Sequence, residues 1–360
     1  MRIVKHRTRR YAHRVGRGVA NARQSWSVRE GVILELEAQT GLVGQGEAAP
    51  LPGYSVESLD EVEASLVSLR FSRPLDDAFA RDAKEAVARS MAEFDGLPPS
   101  AAFAVEMALF DLLGHHHRAS VADLLNAASS VEMGAATLVP RLSPDDLRTF
   151  VRRAAQKGTR TFKLKVGASG LEEDLAFARL LRETAGPYAR IRLDANQSIA
   201  PQDVGAWLDR SFGLDPEFFE EPTSIEGLEA LEESPVPLAL DESLREPGRA
   251  LRLLDQSWLR AIVLKPMVLG GLLPSLEIAN IVRGQGLDVV VSHLFDGPVA
   301  HAATTCLALA VASDEVDAGL GLHDALRVWP EHLYAHIDGA IVRRPDAFGL
   351  GLPRVFELLG

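Results

Sequence analysis

Cysteine is nearly absent from this 360-residue chain, and so are long apolar runs and any excess of positive charge. The single cysteine, Cys306, excludes an intrachain disulfide and fits a reducing compartment, so a cytoplasmic location is predicted. No apolar run reaches membrane-spanning length, and no apolar signal core follows the basic N-terminus, which predicts no membrane association. The net charge of −12 argues against nucleic acid as a general partner.

What the chain does contain is an ordinary globular composition, 47% hydrophobic and 24% charged. Residues 1 to about 50 alternate like antiparallel strands. A capping box formed by Ser58 and Glu61 predicts a helix that continues to about residue 95, and apolar spacing over 103–113 predicts another. Strands followed by helices predict an α+β domain over residues 1–125.

Short apolar runs then alternate with longer amphipathic segments, and we place this second domain at residues 126–328. The runs are 134–139, 161–166, 191–193, 217–219, 237–240, 261–264, 288–291 and, more weakly, 318–322. Strands that alternate with helices predict a parallel sheet, and eight such units predict a closed β/α barrel. The final stretch, 329–360, is longer than a barrel needs and is predicted to return to the first domain.

Charged residues stand at the carboxyl ends of successive runs, which is where barrel enzymes carry their chemistry. In chain order they are Lys163, Lys165, Asp194, Glu220, Asp241 and Lys265. Each acidic residue alone is commonly a turn or helix-cap residue, but that interpretation explains the whole row poorly. Three hard carboxylates from adjacent strands suit Mg²⁺, with Mn²⁺ as an alternative, and the row has no soft zinc ligand. Asn196 is interpreted as a hydrogen-bond partner of these ligands, and Glu221 and Glu242 either as such partners or as solvated neighbours.

The order Lys-x-Lys, Asp, Glu, Asp, Lys resembles the enolase superfamily, muconate lactonizing enzyme subgroup, over nearly the whole chain. The resemblance implies an α/β fold, a modified (β/α)₇β TIM barrel with an N-terminal α+β capping domain to which the C-terminal segment returns. It also implies that the three carboxylates bind Mg²⁺ and that Lys165 and Lys265 flank a small-molecule carboxylate substrate as acid/base residues. Lys163 would be an auxiliary cation that lowers the pKa of Lys165. The implied reaction removes the proton α to the carboxylate through an enediolate that Mg²⁺ stabilises.

Within the subgroup, residues 46–55, 103–114, 239–244 and 263–271 resemble o-succinylbenzoate synthases, lyases that dehydrate a cyclohexadiene carboxylate in menaquinone biosynthesis. Specificity in that family lies in two capping-domain loops, here 16–27 and 50–55, and at the seventh strand end. The substrate-binding residues implied are Gln24, Trp26, Tyr54, Ser292, His293 and Asp296. The seventh strand end, SHLFDGP at 292–298, departs from the serine-rich segment expected there.

Other reactions use the same row of charges and stay open at this point. N-acylamino acid racemase and muconate-type cycloisomerase are two of them. Dipeptide epimerase ranks lower, because such enzymes usually carry Asp-x-Asp after the eighth strand, where this chain has GLHDA at 321–325. A non-enzymatic binding protein is the contrasting class, and intact lysines on both sides of the row argue against it. Barrels of this family commonly associate, so a homo-oligomer is an open alternative.

Overall fold

The structure is a computed structural model and describes residues 1–16, 19–20, 24–75, 82–313, 315–321 and 328–359. An antiparallel sheet opens the chain, with β2 in the centre. Its strands are β1 (Ile3–Arg14), β2 (Val28–Ala38) and β3 (Val43–Ala48). The helices α1 (Leu59–Val67), α2 (Ala83–Met91), α3 (Pro99–His117) and α4 (Val121–Leu125) follow. Strands followed by helices make the predicted α+β capping domain.

Helix α1 begins as its capping box predicts, because Ser58 and Glu61 each accept a hydrogen bond from the other's backbone N–H. The prediction that this helix continues to about residue 95 is wrong. It ends at Val67, and residues 68–75 are not helical. Pro74 gives a physical reason, since it has no N–H to donate and disfavours helical geometry at Arg73.

Helix α3 lies against the sheet at backbone contact, and two glycines of β3 make this possible. A Cβ built on Gly46 would come 1.9 Å from the carbonyl oxygen of Ala104, and one on Gly44 would come 2.1 Å from that of Ala108. Neither position therefore accommodates a side chain unless α3 moves. This close contact fixes how α3 packs against the sheet of the capping domain.

Seven parallel strands form the sheet of the second domain in the described residues, in sequence order. They are β5 (Thr137–Val139), β6 (Thr161–Lys165), β7 (Arg190–Asp194), β8 (Phe218–Glu220), β9 (Leu238–Leu240), β10 (Leu259–Leu264) and β11 (Asp288–Val291). The helices between and after them are α5 (Pro144–Gln156), α6 (Leu171–Ala185), α7 (Val204–Ser211), α8 (Ile225–Glu229), α9 (Pro247–Ala250), α10 (Pro266–Leu269), α11 (Leu272–Gly284) and α12 (Pro298–Ala310).

A short eighth segment joins the two edges of this sheet. Gly319 N–H donates to the carbonyl of Val291 at 2.8 Å, and Ala136 N–H donates to the carbonyl of Ala318 at 2.8 Å. Among the described residues that follow this segment, 320–321 and 328–359, there are short strands and 3-10 turns but no α-helix. This pattern fits the predicted (β/α)₇β barrel, and the fold prediction is confirmed.

The end of the chain touches both parts of the molecule. The strand β13 (Ile341–Arg343) pairs with β4 (Glu132–Gly134) on one side and with β12 (Ile337–Asp338) on the other, both antiparallel. Beyond them, Val355 N–H donates to the side chain of Gln45 at 2.6 Å, and Arg354 forms an ion pair with Glu35 at 2.8 Å. The domain boundaries at 125/126 and 328/329 stay predictions. None of the described helices is both long and apolar enough to cross a membrane.

Candidate active site

Parallel strand pairing brings the charged residues to one level of the barrel. Lys165 on β6 stands opposite Asp194 on β7, and Asp194 stands opposite Glu220 on β8. Asp241 follows the last residue of β9, and Lys265 follows the last residue of β10. The row therefore occupies the carboxyl ends of five neighbouring strands, where barrel enzymes hold their reactive groups.

The first cluster joins one lysine to two carboxylates. Lys163 Nζ lies 2.8 Å from Asp194 Oδ2 and 2.6 Å from Glu220 Oε1. Burial disfavours the charged ammonium, but the surrounding carboxylates outweigh it and raise the pKa of Lys163. Burial, followed by repulsion from Asp194, raises the pKa of Glu220 to about 8. The two carboxylates are thus close enough to oppose each other's ionisation.

The second cluster brings in the capping domain. Lys265 Nζ donates to Asp241 Oδ2 at 2.5 Å and to the Tyr54 hydroxyl at 3.0 Å. The same hydroxyl donates to Asp241 Oδ1 at 3.0 Å. Burial opposes charge on Lys265, but Asp241 and Glu242 outweigh it and raise the pKa of the ammonium. Lys265 is therefore held as a cation by groups from two domains.

Lys165 has a different environment. Its Nζ donates to the carbonyl of Ala20 and lies 5.6 Å from the centroid of the Phe295 ring. Burial and the nearby charges of Lys163 and Lys265 lower the pKa of Lys165 to about 8, against the opposing effect of Asp194. Of the three lysines, this one is the closest to losing its proton near neutral pH.

The three residues interpreted as partners of the ligands lie directly behind them. Glu221 accepts from the backbone N–H of Asp241 at 2.7 Å and from Gln197 Nε2 at 2.8 Å. Asn196 donates its backbone N–H to Asp194 Oδ1 at 3.0 Å and its side-chain N–H to Glu242 Oε1 at 3.1 Å. Glu221 and Glu242 are buried, which argues against the alternative that they are solvated neighbours.

A cavity of about 100 Å³ opens in front of the row. Among the residues named from the sequence, it is lined by Trp26, Tyr54, Lys163, Lys165, Asp194, Asn196, Lys265, Ser292 and His293. The ammonium groups of Lys163 and Lys265 contact Glu220 and Asp241, which do not themselves line it.

Two residues proposed for substrate binding are not in this cavity. Gln24 Nε2 donates to the Pro52 carbonyl at 3.3 Å, so it supports the neighbouring loop. Asp296 is fully buried and accepts from the backbone N–H of Leu294 at 3.2 Å. Of loop 16–27, residues 17–18 and 21–23 lie outside the described residues, as do residues 322–325 of the GLHDA segment.

Seven cavity residues were not named from the sequence, and these are Leu51, Ala136, Leu138, Leu294, Phe295, Gly319 and Gly321. Leu51 lies between Pro50 and Pro52 in a loop already singled out, but nothing distinguishes its side chain there. Phe295 has a left-handed backbone with φ 54°, which sequence patterns do not reveal for a non-glycine residue. Phe295 contacts the cavity between Lys165 and Trp26, whose ring centroid lies 5.9 Å from its own.

The predicted ligands have the chemistry of a divalent-cation site, but the structure does not bring them together as one. Among the described residues no three His, Cys, Asp or Glu side chains are arranged to hold a metal ion, and lysine ammonium groups contact the oxygens of all three carboxylates. Asp194 and Glu220 both contact Lys163 Nζ, so these two carboxylates approach each other around a positive charge, and hard buried oxygens of this kind suit Mg²⁺. Glu242 Oε2, also buried, has no hydrogen-bond partner in the described part of the chain.

Comparison with known proteins identifies the family. Residues 6–126 match the model "Mandelate racemase / muconate lactonizing enzyme, N-terminal domain", and residues 146–353 match "Enolase C-terminal domain-like". The chain is similar to an o-succinylbenzoate synthase of Enterobacter sp. at 30% identity, over 76% of this chain and 77% of that one. It is similar to a hydrophobic dipeptide epimerase of Enterococcus faecalis at 26% identity, over 82% and 84%.

A solved structure agrees over nearly the full length. The dipeptide epimerase from Enterococcus faecalis, complexed with Mg and the dipeptide L-Leu-L-Tyr, superposes with a TM-score of 0.80 at 23% identity, over 98% of this chain and 99% of that one. The fold, the row of charges and both family models define a barrel enzyme with a capping domain. This chain belongs to the mandelate racemase/muconate lactonizing enzyme subgroup of the enolase superfamily.

Proposed function

We propose that this enzyme is a Mg²⁺-dependent lyase of the o-succinylbenzoate synthase type, which dehydrates a small carboxylate in menaquinone biosynthesis. The observation that carries the proposal is the unequal environment of the two lysines beside the cavity. Lys165 has a pKa lowered to about 8, whereas Asp241 and Tyr54 hold Lys265 as a cation. One base and one fixed cation suit dehydration, which needs a single base. The 30% identical synthase supports the same choice.

Asp194, Glu220 and Asp241 would hold the cation, with Mn²⁺ as an alternative to Mg²⁺. When bound, the cation stabilises the negative charge that develops on the substrate carboxylate. Asn196 holds the carboxylate of Asp194 through its backbone N–H and is itself bonded to Glu242, and Glu221 holds the backbone of Asp241.

The proton is moved by the chain's own residues. Neutral Lys165 accepts the proton α to the carboxylate through its Nζ, and the ammonium of Lys265 balances the charge that remains on the other side. Hydroxide leaves from the adjacent carbon and takes the proton from Lys165, so that water is released and the lysine is neutral again. Trp26 and Phe295 cover this region and limit access of bulk water.

The second candidate is a racemase or epimerase, because both lysines line one cavity and a two-base reaction needs that arrangement. The similarity to a dipeptide epimerase and to an N-succinyl-L-Arg/Lys racemase supports this candidate, and muconate-type cycloisomerisation remains a further alternative. In this reaction Lys265 would have to lose its proton in one direction of turnover. Its contacts with Asp241 and Tyr54 oppose that loss.

Incubation of candidate acids in D₂O with the metal-loaded protein separates the two candidates. A dehydratase should convert the cyclohexadiene carboxylate, and Lys165→Ala should abolish exchange of the α-proton while Lys265→Ala leaves residual exchange. Each variant should lose at least about 10²-fold in turnover. Lys157→Ala, at an exposed position that directly follows α5, is the matched control and should change neither.

The opposite pattern would point to the racemase. If each lysine variant abolishes exchange of one enantiomer only, then the two lysines act as a pair of bases. If no acid is converted and no proton exchanges with metal confirmed as bound, the chain is a binding protein and the enzymatic proposal is wrong.

A further inference from the structure

One buried arginine connects the two loops that face the cavity. Arg29 lies on β2 of the capping domain and is 3% exposed. Its Nη1 donates to the carbonyl of Pro50 at 2.8 Å, and its Nη2 donates to that of Ala49. On the barrel side, its Nε donates to the carbonyl of Phe295 at 2.9 Å and its Nη2 to that of Leu294 at 3.2 Å.

Every N–H group of the Arg29 guanidinium donates a hydrogen bond. A fifth bond runs from Nη1 to the carbonyl of Glu30 at 2.9 Å, so all five N–H groups of Arg29 are used. Five donors in a rigid planar fork are specific to arginine, and lysine has three donors on a single nitrogen. A lysine at this position would keep the charge and lose the geometry.

Both loops that Arg29 joins contribute to the cavity wall. Ala49 and Pro50 lead directly into the loop that carries Leu51 and Tyr54, and the barrel loop supplies Leu294 and Phe295. The left-handed backbone of Phe295 is strained for a non-glycine residue and persists only where its surroundings impose it. Arg29 binds the carbonyls on both sides of that residue's own N–Cα–C unit, so it helps to hold this conformation.

The charge of Arg29 has a role as well. Glu47 and Asp296 are both fully buried nearby. Burial raises the pKa of each, and the positive charge of Arg29 acts in the opposite direction on both. A neutral replacement would remove both the hydrogen-bond geometry and the positive charge of Arg29, so the two effects could not be separated. Arg29→Lys keeps the charge and removes only the geometry.

We infer that Arg29 is a positioning residue that couples the capping-domain loop 49–55 to the barrel loop 292–298 and so holds the Phe295 ring against Lys165. The inference rests on the proposed function only in that the cavity receives a substrate. The coupling between the loops is a property of the protein without substrate. Arg29 acts through Phe295 and touches no reacting group.

Hydrogen–deuterium exchange tests the coupling without any assay of turnover. In Arg29→Lys, peptides covering 49–55 and 292–298 should both exchange at least about tenfold faster, because several buried hydrogen bonds are lost on both sides. Arg14→Lys is the matched control, an exposed arginine on the adjacent strand β1, and should leave both peptides unchanged. Faster exchange in one loop only, or in neither, would overturn the inference.

A double-mutant cycle then tests whether Arg29 acts through Phe295. Phe295→Gly removes the ring and tolerates the left-handed backbone. Arg29→Lys alone should lower kcat by about tenfold or more, with a smaller change in KM. In the Phe295→Gly background, Arg29→Lys should lower kcat by less than a further twofold. Fully additive losses would mean that Arg29 acts only on general stability. Where no candidate acid is converted at all, the proposed function fails while the exchange experiment still decides the inference.

Discussion

The lowered pKa of Lys165 leads to a quantitative prediction about pH. Its value falls from an ordinary 10.5 to about 8, chiefly because the side chain is buried. At pH 7 the neutral fraction would be about 9% instead of about 0.03%, a gain of roughly 300-fold in the active form of the base. A general base works in its neutral form, so activity should rise as pH rises toward the pKa.

The measurement is kcat/KM between pH 6 and 9.5 at saturating metal, since this ratio reports the ionisations of the free enzyme. We expect a tenfold rise per pH unit that levels off at or below about pH 8, because a bound divalent cation adds positive charge nearby and lowers the pKa further. Lys163→Gln removes a neighbouring positive charge, so it should move the rising limb to higher pH.

Two results would contradict this reasoning. If kcat/KM does not level off by pH 9.5, then the pKa of Lys165 lies near the ordinary lysine value of 10.5. Burial would then not prepare Lys165 as the base. A limb that moves to lower pH in Lys163→Gln would mean that Lys163 acts on Lys165 in some way other than through its charge. Lys157→Gln, with an exposed side chain on another element, should leave the profile unchanged and serves as the control.

Three further predictions concern the metal and the stability of the fold. Asp194→Asn should weaken Mg²⁺ binding at least about tenfold in calorimetry with an unchanged circular dichroism spectrum, and full turnover in excess chelator would contradict the metal assignment. Burial raises the pKa of Glu106 to about 8, so the folded protein binds this proton more tightly than the unfolded chain does. The free energy of unfolding, and with it Tm, should therefore fall as pH rises from about 5 to 8, and Glu106→Gln should flatten that fall. Gly46→Ala should destabilise the protein by about 1–3 kcal/mol in urea unfolding, whereas Gly205→Ala, in a helix with open space around it, should not destabilise it.

The row of charges could be predicted because it depends on strand register alone. Once 161–165, 190–194 and 218–220 are identified as neighbouring parallel strands, their last residues must lie side by side. Each strand is short and ends in a charged residue, so the pattern survives small errors in the strand boundaries. The same holds for Ser58 and Glu61, whose interaction is local in sequence.

The failures have two different causes. Some depend on contacts between residues far apart in the chain, such as those of Gln24 with the Pro52 carbonyl and of Arg29 with the Phe295 carbonyl, and the second spans 266 residues. Others are local. Asp296 is buried outside the cavity and accepts from Leu294 N–H only two residues away, and the predicted long helix runs across Pro74, which disfavours helical geometry.

This difference also explains why the family is easier to assign than the reaction. The metal-binding and acid/base candidates are on barrel strands or directly follow them, and backbone pairing holds them whatever the substrate. The walls of the cavity belong to loops of two domains, including Tyr54 on one side and Phe295 on the other. A change in those loops alters which acid fits without disturbing the row, as the similarity to both a synthase and an epimerase illustrates. What separates one-base from two-base chemistry is whether Lys265 can release its proton. Among the described residues, Lys265 Nζ donates to Asp241, which directly follows a strand, and to the hydroxyl of Tyr54, which comes from a capping-domain loop. Proton exchange catalysed by Tyr54→Phe should therefore distinguish the two reactions.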